Sequence, residues 1–253
     1  MVRLIDLVFP DQTNHQGNMF GGAALAMMDK VAFLTAARFA RRGFVTAAVE
    51  RTDFKAPVLV GELVDITGTI RSVGRSSLAV RVDLTAENLL DGTRRLTTHG
   101  EFTMVATDRK TNKKPLPPVP DYQQEPANLT RNVELVFPGD TDHRGFLFGG
   151  HALQLMEKAA FVAASRHARC SVVMAALKEI NFTTNIHIGE MIEITAKVKR
   201  VGRTSMRIAV QLFAEDLTTG QRRKATVGEF VMVALDDDGR PTPAPPFDIG
   251  SET

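Results

Sequence analysis

The feature that most constrains the fold of this chain is an internal repeat. When the sequence is shifted so that Arg3 falls on Arg131, residues 3–106 align with residues 131–234 without a gap, and nearly half of the paired residues are identical. A repeat of this length corresponds to a whole domain, because the units of solenoids and propellers are much shorter. We therefore predict two copies of one domain. The predicted segments are a first domain at 1–107, a linker at 108–128, a second domain at 129–236 and a Pro-rich tail at 237–253.

The composition restricts the class of protein. The 253 residues are 43% hydrophobic and 24% charged, and the net charge is only +2, whereas nucleic-acid binders carry a larger or more clustered basic excess. The single cysteine, Cys170, favours a reducing compartment. No apolar run reaches the roughly 18 residues of a membrane span, and Asp6 interrupts the short apolar start. We expect a cytoplasmic protein that binds neither nucleic acid nor membrane.

Each repeat has the same pattern of elements. A short apolar strand near Leu4–Phe9 precedes an Ala-rich, Pro-free run from Gly22 to about Arg42, which is typical of a helix that ends at the following glycine. Alternating apolar residues in Val64–Ile70 and Leu78–Ala86 predict antiparallel strands, and Asp91-Gly92 predicts a hairpin turn. The order β-α-β-β-β-β indicates an α+β unit in which a five-stranded antiparallel sheet wraps one long helix.

A carboxylate lies in the apolar middle of that helix. Asp29, with Glu157 at the same position of the second repeat, follows Gly22 by about two turns, so both face the same side. A buried carboxylate is costly without a partner and takes up a proton. It is either a polar residue at an interface between helices or a general base or nucleophile in a cleft. We favour the base because of the segment that precedes it.

That segment places paired glycines at the start of each helix. It runs from Thr13 to Gly22, and from Thr141 to Gly150 in the second repeat. Glycines allow a ligand to approach the backbone, and the first N–H groups of a helix are unpaired at the positive end of its dipole. Such groups stabilise an oxyanion. The predicted donors lie at Gly21, Gly22, Gly149 and Gly150.

A second polar motif is the turn Gly74–Ser77, whose guanidinium, hydroxyl and backbone donors suit a phosphate, although an ordinary polar hairpin has the same composition. Basic residues nearby either assist phosphate binding or protect the strands against aggregation. They are Arg71, Arg94, Arg95, Lys197, Lys199, Arg200, Arg222, Arg223 and Lys224. No Cys/His metal spacing, nucleotide-binding glycine pattern or G-x-S-x-G elbow occurs, so we expect no metal or cofactor and no serine hydrolase.

Taken together, these motifs resemble the hotdog-fold acyl-CoA thioesterases, in particular the small bacterial enzymes and the tandem cytosolic hydrolases. The resemblance covers both repeats. It rests on Thr-Asn-x-x-Gly-x-x-Phe-Gly-Gly from Thr13, Met28-Asp29, Val49-Glu50 before Asp53-Phe54, Val73–Ser77 and Phe102. It implies a tandem double hotdog that hydrolyses acyl-CoA to a carboxylic acid and coenzyme A. It also implies a homo-oligomer, with a trimer of chains as a fold-level expectation.

The resemblance also implies roles for individual residues. The family pairs a loop Asn from one hotdog with a helix acid from the other, which here pairs Asn14 with Glu157 and Asp142 with Asp29. The acid activates water or attacks the thioester carbonyl, while the Asn and the helix N–H groups polarise that carbonyl. The residues implied in binding the coenzyme A phosphates are Arg75, Ser76, Ser77, Arg203, Thr204 and Ser205.

Both pairs depart from the Asn-plus-Asp pattern. Glu157 moves its carboxylate by one methylene. Asp142 sets a second acid beside Asp29, and we expect two adjacent carboxylates to share a proton, so that one of them is largely protonated and a weaker base at neutral pH. We therefore predict Asn14/Glu157 as the better site and Asp142/Asp29 as a degenerate one.

Two other functions stay open at this point. One is a hotdog hydratase or dehydratase acting on acyl thioesters, which needs a catalytic His15 or His143 in the cleft. The other is a non-catalytic acyl-CoA sensor. Acyl-chain length is expected to depend on the depth of a tunnel set by side chains such as Met27, Met28, Phe33 and Phe161.

Overall fold

The computed structural model describes residues 1–50, 52–108, 114–122 and 130–246, and it divides into two compact units, each formed mainly by one repeat. Residues 109–113 and 123–128 of the predicted linker and 247–253 of the predicted tail lie outside the described residues. In the described ranges, no helix is both long and apolar enough to cross a membrane.

Unit 1 packs one long helix against an antiparallel sheet. Its elements are β1 (Val2–Leu7), a 3-10 turn (Pro10–Gln12), α1 (Gly21–Ala40), β2 (Phe44–Val49), β3 (Asp53–Phe54), β4 (Leu63–Val73), β5 (Ser77–Glu87) and β6 (Arg94–Ala106). The strand order is β1-β4-β5-β6-β2, and the short β3 also pairs with β6. The edge strand beside β6 is therefore divided into two pieces, which gives this sheet six strands where five were predicted.

Unit 2 repeats the arrangement with an undivided edge strand. Its elements are β7 (Thr130–Leu135), a 3-10 turn (Pro138–Asp140), α2 (Gly149–Ala168), β8 (Ser171–Phe182), β9 (Met191–Val201), β10 (Ser205–Glu215) and β11 (Arg222–Leu235). The five strands are ordered β7-β9-β10-β11-β8. One helix and one antiparallel sheet in each repeat confirm the predicted α+β architecture.

The core of each unit is formed by buried residues of its helix and by alternate residues of its strands. In unit 1, α1 buries Met28, Val31 and Leu34, and β5 buries its alternate residues such as Val82 and Leu84, all fully inaccessible to solvent. α1 ends at Ala40, whereas the sequence predicted that it would end at about Arg42. Arg41 adopts a left-handed φ of 55° and its N–H donates to Ala37 O, so the chain turns before Gly43 is reached.

The described part of the linker is mostly exposed, as its Pro-rich composition leads one to expect, but it is attached to unit 1 at two points. Leu116 is buried, and the Tyr122 hydroxyl accepts a hydrogen bond from Ile70 N at 2.8 Å. In unit 2 the start of the tail is anchored in a similar way, because Ala244 N donates to Arg203 O at 3.0 Å. At the shift that defines the repeat, Ala244 corresponds to Leu116.

Candidate active site

The loop before α1 holds Asn14 in a fixed conformation. The Asn14 side-chain oxygen accepts hydrogen bonds from Gln16 N at 2.9 Å and Asn18 N at 3.1 Å, and Asn14 N donates to Asn18 O at 2.8 Å. Gly17 has a φ of +74°, which a residue with a side chain rarely adopts. The side-chain NH₂ of Asn14 has no partner among the described residues. It is therefore free to donate to a bound ligand.

Both helices begin without a side-chain cap. The residues before the first turns are Phe20 for α1 and Phe148 for α2, and neither caps its helix. Gly21 is exposed, with the Phe54 ring on one side, since a Cβ added at Gly21 would lie 3.5 Å from that ring. The first N–H groups of each helix thus have no side-chain acceptor, as an oxyanion site requires. That Gly21, Gly22, Gly149 and Gly150 serve such a site stays a prediction.

The helix acid of unit 1 has a hydrogen-bond donor that the sequence did not reveal. Asp29 is half-buried on α1, and the Thr46 hydroxyl on β2 donates to its Oδ1 at 2.5 Å. Nothing in the run Val45–Val49 distinguishes Thr46 from a threonine of an ordinary strand. The one difference visible in the sequence is that Met174 stands at the corresponding position of the second repeat.

The helix acid of unit 2 has different surroundings. Glu157 is half-buried on α2, and no hydrogen bond reaches its carboxylate from the described residues. Burial raises the pKa of Glu157 above its ordinary value, and the nearby positive charge of Lys158 offsets only part of this effect. A carboxyl group whose pKa lies closer to neutrality is better suited to accept a proton from water.

Asp142 accepts hydrogen bonds from its own loop at both carboxylate oxygens. Its Oδ2 accepts hydrogen bonds from Arg144 Nε at 3.1 Å and Nη2 at 2.9 Å, and its Oδ1 accepts from the N–H groups of Arg144 and Phe146. Burial acts to raise the pKa of Asp142, but these hydrogen bonds outweigh it and the pKa is lowered. Within its own loop the charge of Asp142 is compensated by Arg144, and a proton shared with Asp29 stays a prediction.

The turns Gly74–Ser77 and Gly202–Ser205 form between neighbouring strands, as predicted. Gly74 N donates to Ser77 O at 2.8 Å, and Gly202 N donates to Ser205 O at 2.7 Å. The side chains of Arg75 and Arg203 are exposed and have no partner in the described ranges. Both guanidinium groups are available to an anion, so coenzyme A binding by these turns stays a prediction.

Four of the nearby arginines form ion pairs with buried carboxylates. Arg94 pairs with buried Asp65 at 2.5 Å, and Arg95 pairs with Glu62 at 2.6 Å. Arg222 and Arg223 make the corresponding pairs in unit 2, with Glu193 and Glu190, both at 2.6 Å. A buried carboxylate is strongly destabilising without its partner. These four arginines therefore compensate buried carboxylates of their own units, a role the sequence did not indicate, and phosphate binding by them stays a prediction.

The two histidines that a hydratase would need, His15 and His143, form no pair with an acid in the described part of the chain. Both side chains are exposed. Within the same ranges, no group of three His, Cys, Asp or Glu side chains could hold a metal ion. Cys170 is a half-buried free thiol.

Comparison with known proteins identifies the family. Residues 16–92 and 144–221 each match the thioesterase superfamily. A solved structure of an acyl-CoA hydrolase from Agrobacterium tumefaciens is 44% identical and superposes with a TM-score of 0.87, covering 96% of this chain and 97% of that one.

Two relatives of known family lead to the same assignment. The cytosolic acyl coenzyme A thioester hydrolase of Rattus norvegicus is 28% identical over 93% of this chain and 74% of its own length. An uncharacterised acyl-CoA thioester hydrolase of Zymomonas mobilis is 34% identical over 54% of this chain and 86% of its own. The chain belongs to the thioesterase superfamily and contains one family unit in each repeat.

Proposed function

We propose that this protein is an acyl-CoA thioesterase, which hydrolyses acyl-CoA to a free carboxylic acid and coenzyme A. Relatives that match along nearly the whole chain are acyl-CoA hydrolases. The observation that carries the proposal is the Asn14 loop. Its side-chain oxygen is held by the loop while its NH₂ is left free, beside a helix start that no side chain caps.

The proposed catalytic pair is Asn14 with Glu157. The Glu157 carboxylate takes a proton from water as the water oxygen attacks the thioester carbonyl carbon. The Asn14 amide and the N–H groups at Gly21 and Gly22 donate to the oxyanion that forms. Collapse of this intermediate breaks the C–S bond, and the proton passes to the departing sulfur. The raised pKa of Glu157 supports this role.

The second pair, Asp142 with Asp29, is proposed to be the weaker site. Thr46 holds Asp29 in place, but Asp142 has acceptors only, and both of its oxygens already receive hydrogen bonds from its own loop. A carboxylate paired with Arg144 offers no N–H to an oxyanion. The site therefore lacks the side-chain donor that Asn14 supplies.

The remaining parts of the proposal concern binding and assembly. The exposed Arg75 and Arg203, with the hydroxyls of their turns, are proposed to bind the phosphates of coenzyme A. The chemistry needs no metal or further cofactor. A cytoplasmic location and a homo-oligomer, with three chains as the specific expectation, are part of the same proposal. The cytosolic name of the rat relative supports the location.

Thiol release from purified protein tests the function. A panel of acyl-CoA substrates is assayed with wild type, Glu157→Gln and Asp29→Asn, and coenzyme A and free acid are quantified by mass spectrometry. We expect turnover by wild type, a large loss in Glu157→Gln and a small loss in Asp29→Asn. Acyl-CoA binding without thiol release would indicate a sensor, and hydration of an enoyl-CoA would indicate the hydratase.

A further inference from the structure

Unit 1 contains a cavity of about 290 Å³ beside the start of α1. Its rim includes half-buried Asn18 and exposed Gly21, and its deepest lining residues are Leu84, Thr97 and Thr98, which are almost fully inaccessible to solvent. The cavity therefore extends from the surface at the helix start into the space between α1 and the sheet.

The interior of this cavity is apolar. The hydroxyls of its two deep threonines are used elsewhere, because Thr97 Oγ1 donates to Leu84 O at 3.1 Å and Thr98 Oγ1 donates to Asp53 O at 2.9 Å. The remaining walls include Phe54 and Val58. The charged lining residue is Lys55, which is exposed at the rim. Such a surface favours a hydrocarbon chain over a polar group.

The rim of the cavity adjoins the proposed oxyanion site and shares Gly21 with it. Asn18 belongs to the loop that fixes Asn14, since Asn18 N donates to the Asn14 side-chain oxygen at 3.1 Å. Gly21 is both a lining residue and the first residue of α1. A thioester carbonyl that accepts from the Asn14 amide and the Gly21 N–H would therefore lie beside the mouth of the cavity.

We propose that this cavity binds the acyl chain of the substrate and sets its preferred length. The inference rests on the proposed thioesterase function. An apolar cavity of about 150 Å³ holds a benzene molecule, so a cavity about twice as large accommodates on the order of ten carbon atoms. The preferred substrate is thus a medium-chain acyl-CoA of roughly eight to ten carbons.

This assignment differs from the expectation that Met27, Met28, Phe33 and Phe161 determine chain length. None of these four is a lining residue of the cavity in the described part of the chain. Met28 is fully buried, and its methyl group points at Gly100 on β6, where an added Cβ would lie 3.4 Å away. The cavity is bounded instead by the segment that follows β3, where Ala56 and Val58 lie.

Substitution of Ala56 tests the assignment. Ala56 is half-buried and its counterpart in the second repeat is Thr184, so Ala56→Phe and Thr184→Phe form a matched pair. For each variant, kcat/KM for thiol release is measured with saturated acyl-CoAs from butyryl to palmitoyl. We expect Ala56→Phe to lower the ratio of decanoyl-CoA to butyryl-CoA by about ten-fold or more, whereas Thr184→Phe leaves that ratio unchanged.

A second variant tests the opposite direction. Val58→Ala enlarges the cavity, and we expect it to shift the optimum to a chain longer by about one or two carbons. An unchanged ratio in a folded Ala56→Phe protein, or an equal shift in Thr184→Phe, would overturn the assignment. Either result leaves the thioesterase function intact, whereas absence of thiol release by the wild type with every chain length would refute the function itself.

Discussion

The two helix carboxylates differ in their hydrogen bonds to the neighbouring strand. Thr46 donates to Asp29 in unit 1, and Met174 stands at the corresponding position of unit 2, where Glu157 receives no such bond from the described residues. A hydrogen bond to the charged form stabilises it, whereas burial without one disfavours it. The same helix position therefore carries an anchored carboxylate in one repeat and a carboxyl group of raised pKa in the other.

The raised pKa of Glu157 predicts a pH-dependent effect on stability. Between the ordinary value of 4.5 and the higher value in the folded protein, the folded state binds more protons than the unfolded state. Stability therefore falls as the pH rises through this window. We expect Glu157→Gln to increase the Tm at about pH 7.5, and this increase to disappear below the ordinary pKa.

Differential scanning calorimetry across the pH range measures this effect. Glu50→Gln, at an exposed side chain, is the matched control and should leave the Tm unchanged throughout. A Tm of Glu157→Gln that is unchanged or lower at neutral pH would show that the ionised Glu157 carboxylate is not destabilising in the folded protein.

The Asp142–Arg144 pair predicts how the weaker site could be restored. The first repeat has Asn14 and Gln16 at these positions. Asp142→Asn with Arg144→Gln therefore supplies a side-chain N–H donor, which in the proposed pairing serves Asp29. In a Glu157→Gln background we expect this double change to increase kcat by about a hundred-fold, because one oxyanion donor contributes about that factor.

Arg144→Gln alone serves as the control for this rescue, since it removes the cation without creating an amide at position 142. Thiol release from the two proteins is compared at equal concentration. Equal rates would mean that the loop donor plays no part in the activity of the second site.

At the scale of elements, each repeat ends in a segment with the pattern Pro-x-Pro-Pro, which contains Leu116 in unit 1 and Ala244 in unit 2. Ala244 N donates to Arg203 O, so the tail is hydrogen-bonded to the turn proposed to bind phosphate. In unit 1, the Tyr122 hydroxyl accepts from Ile70 N on β4. Both segments are therefore attached to their own units.

The bond between Tyr122 and Ile70 predicts a local loss of stability. Tyr122→Phe leaves the Ile70 N–H without its acceptor, and we expect a cost of about 1 kcal/mol. Hydrogen exchange at the Ile70 amide measures it, and the amide of Val82 inside β5 is the internal reference. If protection at Ile70 did not change, the segment that carries Tyr122 would not be attached there in solution.

The elements were predictable from sequence where the signal is local, and the site was predictable only in part. Ala-rich composition located α1, period-two alternation located β5, and Asp91-Gly92 marked a hairpin where Gly92 has a φ of +75°. The bond from Thr46 to Asp29 depends on how β2 packs against α1, which no local pattern specifies. The role of Arg94 likewise depends on the strand register that places it beside Asp65.

At the scale of the whole molecule, the two repeats have diverged at the residues that matter most for the proposed chemistry. The Asn and Asp of the family pattern, Asn14 and Asp29, both lie in the first repeat, and the second has Asp142 and Glu157 in their places. If the family pairs a loop of one repeat with the acid of the other, each site keeps one of the two residues. Under that pairing we expect two unequal sites in one chain.

The most direct test is the rate of thiol release by Asn14→Asp, which converts the first loop residue to that of the second. Asp142→Asn is the reciprocal variant, and decanoyl-CoA is the substrate for both. We expect kcat/KM to fall about a hundred-fold in Asn14→Asp and not to fall in Asp142→Asn. A wild-type rate in Asn14→Asp, or a larger loss in Asp142→Asn, would contradict the assignment of the working site.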